Sequence, residues 1–222
     1  MDKSLKAKDY LKIFFLYGIV YATIPIIILE ITWDAIFNMI GLGDGLLREL
    51  IASFFRAALI EEAFKFFGFI KANKKYHFSN EKEFMLGAGM IGLAYGIIEK
   101  VAAGNAMAVI LGIIFPMHII WQMNQGRHFY KYKNAKDIND NKKAKRELFL
   151  ATFMIFFIHG SWDALISLVG YFADNPNIAN ADIIGGILLI GIILFGIIYI
   201  VASIVKIRRV LKNSKMNKQL DK

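Results

Sequence analysis

Six apolar runs, separated by polar segments, organise the sequence. They cover approximately residues 11–29, 46–70, 84–103, 106–123, 148–172 and 183–205. A helix needs about 20 mostly apolar residues to cross the hydrocarbon core of a bilayer, and each run approaches or exceeds that length. The pattern predicts an all-α, polytopic transmembrane helical bundle with about six spans. A short interfacial helix is expected around residues 33–40, after the first span.

The charges between the runs predict how the bundle is oriented. Lysine and arginine occur before the first run, in 71–83, in 127–146 and after the last run, but not in 31–45, 102–105 or 173–182. Positive charge is retained on the cytoplasmic side, so both termini are expected there. The net charge of +9 therefore reflects orientation and does not indicate nucleic-acid binding. We expect residues 1–210 to form a single transmembrane domain and 211–222 a basic cytoplasmic tail.

Composition excludes several other classes of protein. With 57% hydrophobic residues in 222, the chain carries more apolar surface than one soluble core of this length can bury. It contains no cysteine, which excludes a disulfide framework, a thiolate metal site and a cysteine nucleophile.

The second run carries charged side chains at membrane depth. Glu61 and Glu62 are adjacent and Lys65 follows, and each buried charge costs roughly 2.5–3.5 kcal/mol on insertion scales. On a helix the two glutamates diverge by about 100° and Lys65 projects between them. Glu61 and Lys65 have the i,i+4 spacing of a structural ion pair. One lysine is expected to pair with only one glutamate, so the second suggests a function.

Further ionisable residues lie within the second to fifth runs, which predicts that four helices surround one polar cavity. His159 and Asp163 have the i,i+4 spacing that lets the carboxylate orient the imidazole. In the third run, Ala88, Gly92 and Gly96 form a small-xxx-small pattern that permits close helix packing, and Glu99 falls on that same face. The candidate set is Arg56, Glu61, Glu62, Lys65, Glu99, Lys100, His118, His159 and Asp163.

Four motifs in this order resemble the PrsW family of intramembrane proteases, which is related to the CPBP family and the CAAX prenyl endoproteases. They are Glu61-Glu62-x-x-Lys65, the glycine-rich segment ending in Glu99-Lys100, Pro116-Met117-His118 with Gly126, and His159-Gly160-x-x-Asp163. Phe66 stands where the CAAX endoproteases carry arginine, which favours PrsW. Two positions depart from the pattern. Lys100 replaces an asparagine, and Asp163 stands where the CAAX endoproteases have an asparagine.

The resemblance implies a multi-pass protease of a prokaryotic plasma membrane that cuts a single-span membrane protein in or next to the bilayer. Site-1 cleavage of an anti-sigma factor is such a reaction. Glu61 is our candidate for the base that activates water, and His118 would share that water. His159, oriented by Asp163, would donate to the oxyanion. Glu62 and Lys65 would position Glu61, while Glu99 would be a second polar wall or a metal ligand.

Two alternatives use the same residues. His118, His159 and Glu62, or another of the glutamates, could hold a catalytic zinc ion. The compact HExxH signature is absent, so glutamate catalysis without a cofactor is favoured. A proton-coupled transporter could use the Glu, His and Asp residues as a relay, although no interrupted helices recur in corresponding halves. Span boundaries place the polar residues toward the outer face, which predicts a site that opens outward.

Overall fold

The computed structural model describes residues 5–41, 45–102 and 116–220, except for the side chains of residues 30, 34, 56, 57 and 214–220. Residues 104–105, which separate the third and fourth apolar runs, lie outside the described part, as do the first part of the predicted fourth span (106–115) and the side chain of Arg56. Within it the chain is all-α and contains no strand. The all-α class predicted from the hydrophobic pattern is therefore confirmed.

Six continuous helical stretches make up the described chain. α1 is Ala7–Met39 and α2 covers 46–76. α3 is Glu81–Ala102, α4 is Met117–Asp137, α5 is Asn141–Asp174 and α6 is Ala181–Leu220. Three of them contain a wider, π-helical segment: Ile13–Thr23 in α1, Ser53–Ile60 in α2 and Leu150–Met154 in α5.

Among the described residues, four helices are long and apolar enough to cross a membrane. They are Ala7–Met39, Glu81–Ala102, Asn141–Asp174 and Ala181–Asn213. α2 is not among them, since Glu61, Glu62 and Lys65 interrupt its apolar run. The length and hydrophobicity of these four helices indicate a membrane protein.

The helices extend beyond the apolar runs from which they were predicted. The prediction of a separate interfacial helix around 33–40 is wrong, because α1 continues to Met39 and ends only before Gly41, whose φ is +71°. The polar segment 127–146 is also not a loop, since α4 and α5 leave only residues 138–140 between them. Hydrophobicity marks the part of a helix inside the membrane, whereas lysine and other long polar residues extend that helix into water.

Close packing of α3 on α4 positions two of the helices that carry candidate site residues. Their interface is the most extensive between any two helices described. A Cβ added to Gly92 would collide with the carbonyl oxygen of His118, and one added to Gly126 would collide with that of Phe84. The small-xxx-small prediction is therefore confirmed. α1 packs on α2 and α3, α5 packs on the π-helical segment of α2, and α6 packs mainly on α5.

Candidate functional site

Lys65 stands at the centre of a buried polar cluster between α2, α3, α4 and α5. Its Nζ lies 2.9 Å from Oε2 of Glu61, 2.9 Å from Oε1 of Glu62 and 3.2 Å from Nδ1 of His118. The ammonium also lies 4.1 Å from the ring centroid of Tyr95, a cation–π contact. The expectation that Lys65 pairs with one glutamate is wrong. An ammonium has three donors, and residues three and four positions earlier both come within its reach.

The two glutamates differ in how firmly they are held. Glu62 is engaged through both oxygens, because Oε1 also lies 2.8 Å from Nδ1 of His159 and Oε2 lies 2.6 Å from Nε2 of Gln122. Glu61 is engaged through Oε2, which contacts Lys65 and lies 3.9 Å from Nε2 of His159. Glu62 is therefore fixed by three side chains, while Glu61 keeps more freedom to meet a substrate or water.

The pairing predicted between His159 and Asp163 on α5 is present. Nε2 of His159 lies 3.1 Å from Oδ2 of Asp163. Because Nδ1 faces Glu62, this imidazole lies between two carboxylates on opposite sides of its ring. Two acceptors favour a ring that carries both N–H groups. His159 itself is almost completely buried, whereas the side chain of Asp163 is 26% exposed.

Glu99 joins the cluster through His118. Oε2 of Glu99 lies 2.8 Å from Nε2 of His118, and Oε1 lies 3.1 Å from Nζ of Lys100. Gly96, three residues before Glu99, leaves room for the imidazole, since a Cβ there would lie 3.4 Å from Cδ2 of His118. The sequence pattern placed Glu99 on this face of α3, and the structure confirms that placement.

Three residues at the site are absent from the set predicted by sequence: Tyr95, Trp121 and Gln122. The indole of Trp121 lies against the imidazole of His159 with ring centroids 4.3 Å apart and ring planes tilted by 30°, and Tyr95 meets His118 edge-on at 5.0 Å. The i,i+4 spacing from His118 to Gln122 was a usable signal, because it puts both on one face of α4. No comparable pattern identified Trp121, since aromatic residues are abundant throughout the chain.

The cluster has a closed end and an open end. At the closed end, five rings form what we call the aromatic plug: Phe66, Phe69, Phe78, Phe84 and Phe129. Phe69 follows Lys65 by one helical turn and is completely buried. At the open end, the side chains of Glu99 and Lys100 are 34% and 31% exposed. The cluster is therefore partly exposed on the side of Glu99 and Asp163.

Two carboxylates and two imidazoles lie close enough together to be considered as a metal site. One ligand atom from each of Glu61, Glu62, His118 and His159 lies within 4.8 Å of the others. The ammonium of Lys65, however, already contacts both carboxylates and Nδ1 of His118. A metal ion bound among these four residues would require the ammonium of Lys65 to withdraw.

The structure thus brings together the seven residues predicted as the site core: Glu61, Glu62, Lys65, Glu99, His118, His159 and Asp163. Comparison with known proteins adds nothing to this geometry, because no protein-family model, curated protein or solved structure matches the chain.

Proposed function

We propose that this protein is an intramembrane endopeptidase that hydrolyses a peptide bond of a membrane protein with a water activated by glutamate. The observation that carries the proposal is the convergence of Glu61, Glu62, His118 and His159 within 4.8 Å at a buried position. Burying several ionisable groups inside a helical bundle is costly. A site for acid–base chemistry explains that cost better than a structural ion pair does.

The unequal engagement of the two glutamates supports distinct roles. Glu61 acts as the general base, because one of its oxygens remains less constrained and the other is held by Lys65. It removes a proton from water, the oxygen attacks the carbonyl carbon, and the proton passes to the leaving amine. Glu62 orients Lys65, His159 and Gln122 around it. His118 contacts Lys65 through Nδ1 and would share the water, and Glu99 aligns its ring.

Lys65 supports a reaction without metal. It neutralises part of the carboxylate charge from within the cluster, so the protein's own ammonium supplies the cation. We therefore propose no cofactor. The metal-dependent form, with zinc on His118, His159 and Glu62, requires a different position of Lys65. Chelators should leave activity intact, whereas zinc that co-purifies stoichiometrically and is lost together with activity would favour the metal form.

The four motifs that resemble PrsW proteases give the proposal its biological setting. We propose a multi-pass protein of a prokaryotic plasma membrane, with six spans and both termini in the cytoplasm. Its partner is a single-span membrane protein substrate, and an anti-sigma factor cut at its first site is one such substrate. The polar segments between the apolar runs carry their positive charge on the side proposed as cytoplasmic, so we propose no nucleic-acid partner.

A proton-coupled transporter is the second candidate, and one observation favours it. Contacts run without a break from Glu99 through His118, Lys65, Glu62 and His159 to Asp163. Such a chain could also pass protons across part of the membrane. The aromatic plug argues against a complete path, because it closes one end of the cluster with five packed rings.

Cleavage of a single-span reporter in cells tests the proposal. Wild type should release fragments, and Glu61→Gln should release none while remaining in the membrane fraction. Glu81→Gln is the matched control, since Glu81 pairs with Arg127 outside the cluster, and it should cleave normally. Equal cleavage by wild type and Glu61→Gln would transfer the role of base to another carboxylate. Absence of fragments from every variant would favour the transporter.

A further inference from the structure

Trp121 carries an unused hydrogen-bond donor within the candidate site. The residue is 1% exposed, and its Nε1 has no acceptor within the part of the chain that the structure describes. Its ring lies 4.3 Å from that of His159 and 5.3 Å from that of His118, measured between centroids. Buried indole N–H groups usually find a partner. An orphan donor on an indole whose ring contacts both site histidines therefore points to a ligand oxygen as the missing acceptor.

The other nitrogen donors of the cluster are already directed at protein acceptors. Lys65 Nζ faces the two glutamates. Nδ1 and Nε2 of His159 face Glu62 and Asp163, and Nε2 of Gln122 faces Glu62. The role expected for His159, donation to an oxyanion, would therefore require it to release a carboxylate. Hydrolysis of a peptide needs a donor that is already in place when negative charge develops on the carbonyl oxygen.

Gln122 provides a matching acceptor. Its Nε2 donates to Glu62, which assigns the other amide atom as oxygen, and this Oε1 is buried without a donor among the described residues. Gln122 is itself completely buried. An unpaired donor and an unpaired acceptor on consecutive residues of α4 complement a peptide, which offers one carbonyl and one N–H at each residue.

We propose that Trp121 is a substrate-binding and oxyanion-stabilising residue. Its indole N–H donates to the carbonyl oxygen of the scissile peptide, and Gln122 accepts from a neighbouring substrate N–H. This inference rests on the proposed peptidase function and adds the donor which that reaction requires. The ring contact with His159 holds the indole in position, so the donor costs no reorganisation when the substrate arrives.

Trp121→Phe separates donation from packing, because phenylalanine keeps a ring against His159 and lacks the N–H. We expect the rate of reporter cleavage at saturating substrate to fall about 100-fold, the effect of removing one oxyanion donor. The unfolding temperature should stay the same or rise, since the variant removes an unsatisfied buried donor. Trp33→Phe is the matched control. Nε1 of Trp33 is also buried without an acceptor, but α1 contributes no residue to the cluster, so cleavage should stay close to that of wild type.

A second measurement does not depend on turnover. Glu61→Gln protein labelled with nitrogen-15 at its three tryptophans would be titrated with an uncleaved single-span peptide. The indole N–H signal assigned to Trp121, by its loss in Trp121→Phe, should move downfield while the Trp33 signal stays in place. This result supports the inference even if Trp121→Phe lowers the unfolding temperature.

The outcomes distinguish this inference from the proposed function. If wild type cleaves the reporter while Trp121→Phe cleaves equally well, the peptidase stands and the role of Trp121 is overturned. A Trp121 signal that does not move when the peptide binds overturns it in the same way. If wild type shows no cleavage and no variant differs from it, the peptidase and the inference fall together.

Discussion

The two ends of the polar cluster are lined by different kinds of side chain. Beyond Lys65 lie the rings of the aromatic plug, where Phe69 is fully buried between Phe78, Phe84 and Phe129. At the other end, Glu99, Lys100 and Asp163 are ionisable and partly exposed. The charged residues in between are almost completely buried. Among the described residues, the cluster is polar and partly exposed at one end only, which we call its entrance, whereas a channel would need a polar route at both ends.

Substitutions of histidines on opposite sides of the aromatic plug should have the most different effects on activity. We expect His118→Ala and His159→Ala each to abolish reporter cleavage, a loss of at least about 1000-fold, the scale for removing a reacting group from a catalytic unit. His128→Ala should leave cleavage close to wild type, because His128 pairs with Glu147 beyond the plug. All three variants would be assayed at equal amounts in the membrane fraction. Comparable losses in the three would remove the distinction between the two regions.

Lysines at the centre and at the open end should differ in their effect on stability. Lys65→Met leaves two buried carboxylates without their cation, and we expect it to lower the free energy of unfolding by about 3–5 kcal/mol. Lys100→Met removes a partly exposed pair with Glu99, for which about 0–1 kcal/mol is expected. Unfolding of purified protein in mixed detergent micelles measures both. Similar losses for the two variants would mean that Lys65 is solvated in the working protein.

Accessibility of single cysteines tests which side the entrance faces. Ala102 is exposed three residues beyond Glu99, and Lys75 is exposed at the end of α2 beyond the plug. The chain has no native cysteine, so Ala102→Cys and Lys75→Cys provide clean labels. An impermeant thiol reagent added outside intact cells should modify Ala102→Cys several-fold faster than Lys75→Cys, because the distribution of positive charge predicts that the Lys75 side is cytoplasmic. The reverse pattern would place the entrance on the cytoplasmic side.

The sequence predicted the helical class and the main members of the cluster for physical reasons that act locally. Apolar runs of membrane length indicate spans. Because isolated charges are costly to bury in a membrane, the structure is expected to bring Glu61, Glu62 and His159 together. Spacing also predicted that His159 meets Asp163 and that Glu99 lies on the close-packed face of α3. Both predictions depend on the geometry of a single helix alone.

Other features depend on how the helices meet, and sequence spacing does not contain that information. The contact from Lys65 to His118 is set by the approach of α4 to α2. The ring contact between Trp121 and His159 joins α4 and α5 in the same way. Helix ends were also misjudged, because the hydrophobic pattern reports where lipid ends and not where the backbone stops being helical.

Hydrolysis by purified protein in liposomes tests the central claim most directly. A synthetic single-span peptide would be incubated with the protein in water enriched in oxygen-18, and the products would be weighed by mass spectrometry. The account predicts that wild type yields an amino-terminal fragment whose new carboxyl group carries oxygen-18, with a chelator present, and that Glu61→Gln yields no fragment. An intact peptide after incubation with folded wild-type protein would contradict the account. Labelled fragments from Glu61→Gln at the wild-type rate would contradict it as well.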